Sequence, residues 1–183
     1  MEGYKFLHVK APDCDLIPGT SPDAIGNLAL VKLEIPDDAT VVYPIDKEYY
    51  FDAEDIIPLP GVLPEEFISD HPDYVKAKKC RCDKAKVVEV IRYFSGERRP
   101  NNYFHDALYS MTCDSQPSDL IFKSMWNPNF IYKFNEYVEP DSLDEDICLE
   151  CSNGIHFCRT IKDVIDYIET CGYTIMDKEE TNA

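Results

Sequence analysis

Ala85-Lys-Val-Val-Glu-Val-Ile-Arg-Tyr-Phe94 is the stretch on which the fold turns. Its β-branched and aromatic content suits a pleated, half-buried backbone. Strict alternation puts Val88, Val90 and Arg92 on one face and Val87, Glu89 and Ile91 on the other, so apolar side chains point both ways and the strand belongs inside a sheet. Upstream, Leu28-Ala-Leu-Val-Lys-Leu-Glu-Ile35 reads as a second strand, stopped by Pro36-Asp37-Asp38. Residues 39 to 45 begin Ala39-Thr-Val-Val-Tyr43 and read as a third, expected to pair antiparallel with the second across that short polar turn. Downstream, Ile155-His-Phe-Cys158 reads as a short strand, entered through Asn153-Gly154, a pair suited to a tight turn with positive φ.

A helix follows over 161–171. Thr160 caps it with Asp163 three residues on, and Ile161, Val164, Ile165 and Ile168 fall at i, i+3, i+4 and i+7. Gly172 ends it in the left-handed region, and Tyr173-Thr174-Ile175 adds a short strand. The fold expected is therefore α+β: one domain over residues 1–176, a mixed or mainly antiparallel sheet with a C-terminal helix packed on it. Residues 46–78 form a proline-rich acidic surface excursion and 177–183 a flexible tail. Within the excursion Pro58, Pro60, Pro64 and Pro72 remove amide donors, and Pro64-Glu65-Glu66-Phe67 suits a single helical turn.

The chain has 183 residues with 35 acidic and 18 basic side chains, a net charge of −17. Such a surface repels phosphate backbones and anionic lipid as a whole. Charge is uneven, however: residues 46–73 carry nine acids against Lys47, whereas residues 76–99 carry nine bases against three acids. That basic strip is the one place where nucleic acid could be contacted. No aromatic side chain interleaves the bases from Lys76 to Lys86, as stacking on bases would need, so pairing with the acidic segments is the simpler reading. No apolar run approaches the ~20 residues of a membrane span, and the N-terminus shows no export leader. The expectation is a protein that is not secreted, does not meet the membrane, and keeps its eight cysteines reduced.

Two constellations are candidates for chemistry. Cys148-x-x-Cys151-x4-His156-x-Cys158 brings four soft ligands within eleven residues, the donor types zinc prefers. Its spacing departs from a zinc knuckle, because only Phe157 separates His156 from Cys158. Packing is the competing reading: a satisfied imidazole among small buried thiols. Cys80-Arg81-Cys82 presents two further sulfurs on one side of an extended chain. No cofactor is expected, zinc on this cluster being the alternative. Isolated glycines exclude a phosphate-cradling loop, and no acid–base pair stands out among 35 carboxylates.

Three segments, Leu30-Val-Lys-Leu-Glu-Ile-Pro-Asp-Asp-Ala39, Lys79-Cys-Arg-Cys-Asp-Lys-Ala-Lys-Val87 and Glu150-Cys-Ser-Asn-Gly-Ile-His-Phe157, resemble a domain of unknown function found in giant and other large DNA viruses, sometimes attached to pentapeptide repeats. Phe130-Ile-Tyr-Lys-Phe-Asn-Glu-Tyr-Val-Glu-Pro-Asp141 is similar to a further stretch of that family, with Asn135 where glycine is usual. Cys82 and Cys158 stand where the family pattern has Ala and Phe, so the extra thiols are peculiar to this chain and count against a shared zinc site. The resemblance implies a viral accessory or interaction protein with an unidentified protein partner, acting in the host cytoplasm or in the virion. An enzyme of ADP-ribosyl-transfer or nuclease type, with a site around His156, Arg81 and Asn153, is the alternative. A zinc-binding module is the third.

Overall fold

The computed structural model describes residues 1–10, 24–45, 77–99, 105–147 and 149–176. Among them ten strands form one sheet with a single α-helix packed on it. The strands are β1 (Glu2–Lys10), β2 (Ala24–Glu34), β3 (Val41–Val42), β4 (Lys79–Cys82), β5 (Lys86–Glu97), β6 (Asp106–Met111), β7 (Ile121–Ser124), β8 (Ile131–Tyr132), β9 (Ile155–Cys158) and β10 (Tyr173–Met176), with helix α1 (Ile161–Thr170) between the last two. Their order is β10-β6-β5-β2-β1-β9-β4-β3, with β7 joining β1 to β8. All the pairings are antiparallel except β10 on β6.

The two long strands read from the sequence are neighbours. β2 and β5 pair from Ala24↔Glu97 to Glu34↔Lys86, and β5 lies inside the sheet between β2 and β6. Its faces, however, do not follow simple alternation. Between Leu33↔Val87 and Lys32↔Glu89, and again between Val31↔Val90 and Leu30↔Arg92, β5 advances two residues for one of β2. Each extra residue is a bulge that switches the faces. Val87, Val90 and Tyr93 therefore share one face, while Ile91 and Phe94 pack on the other.

The pairing expected between residues 28–35 and 39–45 is not formed. Only Val41 and Val42 are extended as a strand, and they pair with Cys82 and Arg81 of β4. The physical reason is that both edges of β2 are already taken, by β5 and by an N-terminal strand that satisfies β2 from Glu2↔Glu34 to His8↔Leu28. The excursion at 46–78 lies outside the described residues except for Ala77, whose amide donates to the Pro44 carbonyl, and Lys78. The tail at 177–183 lies outside them altogether.

The cap of α1 is as expected: Thr160 Oγ1 accepts from the Asp163 amide at 3.1 Å and donates to Asp163 Oδ2 at 2.8 Å. The buried stripe is narrower than the heptad pattern suggests. Val164 and Ile168 are buried with Tyr167 packed beside them, whereas Ile161 is 39% exposed. Beneath α1 lie Phe6, Leu28, Leu30, Phe94, Leu108 and Cys158. The opposite face holds the larger core, including Leu7, Val31, Leu33, Val87, Phe122, Tyr132, Ile155 and Phe157. Each fully buried large side chain in these layers contributes about 1.5–3 kcal/mol. Gly3 is required for one close approach, since a Cβ there would stand 2.5 Å from the Phe157 ring.

Candidate functional site

β1 divides its free edge between two partners. Tyr4 pairs with Cys158 of β9, and Leu7 to Lys10 pair with Ser124 to Ile121 of β7. Between these pairings, at Lys5 and Phe6, β7 and β9 diverge. A hollow of about 320 Å³ opens in the fork, lined by Lys5, Ser124, Trp126, Tyr132, Asn153 and His156 among others, with Asp141 on its rim.

Each wall follows from local sequence. Ile155 and Phe157 of β9 point into the larger core, and alternation turns His156 the other way. Gly154 makes the entry possible: its φ is +137°, and a Cβ would meet Leu143 Cδ1 at 2.8 Å and Arg81 Cβ at 3.2 Å. Asn153 Nδ2 donates to Ser142 Oγ at 3.0 Å, closing the rim. Ser124 Oγ, at the end of β7, accepts from the amides of Trp126 and Asn127. This turn holds the indole out, 62% exposed.

The electrostatics are unusual for so acidic a chain. Lys5 is buried at a core-facing position of β1, and its Nζ donates to the His156 carbonyl at 2.8 Å. Burial, with Lys79 nearby, draws its pKa down to about 8. Lys79 is 5% exposed; its Nζ donates to Cys151 Sγ at 2.8 Å and lies 4.8 Å over the Tyr167 ring. Among the described residues neither ammonium is ion-paired with a carboxylate. His156 Nε2 is buried with no hydrogen-bond partner among the described residues. Its pKa falls to about 3, first through burial and then through the charges of Lys5, Lys79 and Arg81. The ring is neutral at physiological pH and offers a polar nitrogen that none of the described residues uses.

The residues singled out from the sequence separate into two groups. His156 and Asn153 meet in the hollow. Arg81 does not join them: it is fully buried behind Gly154 and donates to the carbonyls of Asp144, Asp146 and Leu149, pinning the loop that leads to Cys151. Cys158 is buried beneath α1, Cys151 faces Lys79 and Cys148 lies outside the described residues. Cys80 and Cys82 are buried in the larger core. Among the described residues no group of three or more His, Cys, Asp or Glu side chains is arranged to hold a metal ion. Four bases of the strip spend their charge internally: Lys78 on Asp166, Lys84 on Asp38 and Glu139, Lys86 on Glu34, and Arg81 on carbonyls.

Lys5 and Trp126 are not among the sequence candidates, and Lys79 is one only as a member of the basic strip. For Lys5 the signal was present, since Gly3, Lys5, Leu7 and Val9 alternate with Tyr4, Phe6 and His8, and a lysine in an otherwise core-facing register is an anomaly.

Fold and site together define an α+β domain built on one open sheet, with a polar cleft where a strand edge is shared. Residues 106–164 match a family of unknown function (DUF5758). The matched span runs from β6 into the first turn of α1 and carries every wall of the hollow except Lys5. Of the segments quoted above, Phe130–Asp141 and Glu150–Phe157 fall inside it, and the two N-terminal ones fall outside. No curated protein and no solved structure matches the chain. No helix among the described residues is long and apolar enough to cross a membrane.

Proposed function

We propose that the protein is a non-enzymatic recognition module that takes a carboxylate group of a protein partner into the fork between β7 and β9. The observation that carries this reading is the partnerless, buried Nε2 of His156 beside Lys5 and Lys79, two buried ammonium groups without a carboxylate. A buried polar atom left unsatisfied costs about 1–3 kcal/mol, and a ligand oxygen accepting from Nε2–H would recover it. Trp126 stands at the mouth to cover the ligand's apolar stem. The net charge of −17 does not forbid an acidic partner, because at physiological salt fields are screened within about 8 Å and contact charges decide.

Turnover at His156 is disfavoured by the same geometry. General acid–base catalysis works best with a pKa near the operating pH, and an imidazole pushed down to about 3 neither gives nor takes a proton near pH 7. The similarity of its motifs to proteins of large DNA viruses supports an accessory role in the infected cell or the virion.

Trp126 is the only tryptophan, so intrinsic fluorescence reports the hollow directly. Titration with a glutamate-rich peptide should shift or quench the emission saturably, and Lys5→Met or His156→Phe, checked for folding by circular dichroism, should abolish the response. No change up to millimolar peptide, or an equal change in both variants, rejects the proposal. Product formed from labelled dinucleotide or nucleic acid, and lost in His156→Phe, would replace it with the enzymatic reading.

A further inference from the structure

Lys79 Nζ and Cys151 Sγ are 2.8 Å apart. That is the usual length of an N–H···O hydrogen bond, although sulfur is the larger atom, so the pair is drawn closer than an ordinary amine–thiol contact. The two side chains border a second hollow of about 520 Å³, shared with Trp126, His156, Tyr167 and Cys171. Cys151 is exposed there, whereas Lys79 is held from behind by β4 and the Tyr167 ring. Cys80, Cys82 and Cys158 are buried, and burial pushes the thiols of Cys82 and Cys158 up to about 12, which keeps them unreactive. Among the described residues Cys151 alone combines an open path for an oxidant with a side-chain nitrogen at contact distance.

We infer that Lys79 and Cys151 form a site of reversible oxidative modification, in which dioxygen links them through one bridging oxygen atom, N–O–S. The ammonium first passes a proton to solvent. The thiol then loses its hydrogen and the amine one of its two, an S–O and an O–N bond form to the same oxygen atom, and the second oxygen atom leaves as water carrying both hydrogens. Two electrons leave sulfur and two leave nitrogen, and dioxygen takes all four. Thiol reductants reverse the step, restoring thiol and amine with release of a second water. The bridge fastens β4 to the segment that enters β9, at the mouth of the cavity beside His156. It stands on this contact alone, and it takes up the Lys79 ammonium that the proposed recognition site presents beside His156.

Intact-mass spectrometry of the whole chain tests it. Protein held in air-saturated buffer should gain about 14 Da, one oxygen in and two hydrogens out, and digestion should join the peptides containing Lys79 and Cys151. Dithiothreitol should remove the gain. Cys151→Ser, a change at an exposed position, and Lys79→Arg should prevent it, while Cys171→Ser should leave it intact. Oxygen additions confined to Cys151, a disulfide from Cys151 to Cys171, or an unchanged mass would each overturn the inference.

Discussion

His156 is held by its backbone: Lys5 binds its carbonyl, while Nε2 meets no acceptor or donor among the described residues. The consequence for pH follows from its depressed proton affinity. An unfolded histidine titrates near 6.5 and the folded one at about 3, so between these values the unfolded chain binds the extra proton. The stability that the neutral ring contributes is complete above about pH 6.5 and declines as pH falls toward 3. Urea denaturation should show the midpoint dropping from pH 7 to pH 5 more steeply in the native sequence than in His156→Gln; parallel slopes would show that the ring does not control it. Much at this scale was legible. Asn153-Gly154 does turn with positive φ, and alternation along Ile155–Cys158 does separate His156 from Ile155 and Phe157. Asn135 has a φ of +61°, a region that asparagine tolerates and glycine prefers. The partners of Arg81 were not legible, because only tertiary structure brings three carbonyls onto its guanidinium.

Among the elements, α1 was the plainest to read because its signals are local. A capping threonine, an acid at the third position and a terminal glycine all act within a turn. Thr160→Ala removes the acceptor for the Asp163 amide and should cost about 1 kcal/mol, measurable as a lower thermal midpoint. Because the cap is exposed and away from the fork, peptide-dependent Trp126 fluorescence should be unaltered in this variant. Strands were harder. β5 was recognisable from its composition, but the two bulges that reassign its faces depend on the partner strand and leave no mark in its own residues. The short β3 and β8 are two residues each and are strands only because β4 and β7 offer them an edge. β1 escaped notice because Lys5 interrupts its apolar face, and that interruption is what makes it part of the site.

Across the whole molecule, the sheet is ordered so that its longest pairings are innermost. β1, β2 and β5 share 7 registered pairs on one side and 10 on the other, and both β2 faces contribute to core. Native-state hydrogen exchange should therefore find the slowest amides in β2 and β5, while β3 and β8 exchange early through local opening. Uniform protection across all strands would contradict this layering. The overall α+β class was readable, since it needs only the presence of strands and a terminal helix. Strand order was not, because neighbours in the sheet lie far apart in the chain.

That long-range order has a bearing on how the protein is made. Residues 155–158 are the only bridge between β1 and β4 among the described residues. During synthesis, β1 has no means of joining the β4–β3 pair until residues 155–158 have been added. Until then the β1 edge that β9 takes at Tyr4 stays open, and the cleft comes into being only once the stretch from Ser124 to His156 has followed Lys5.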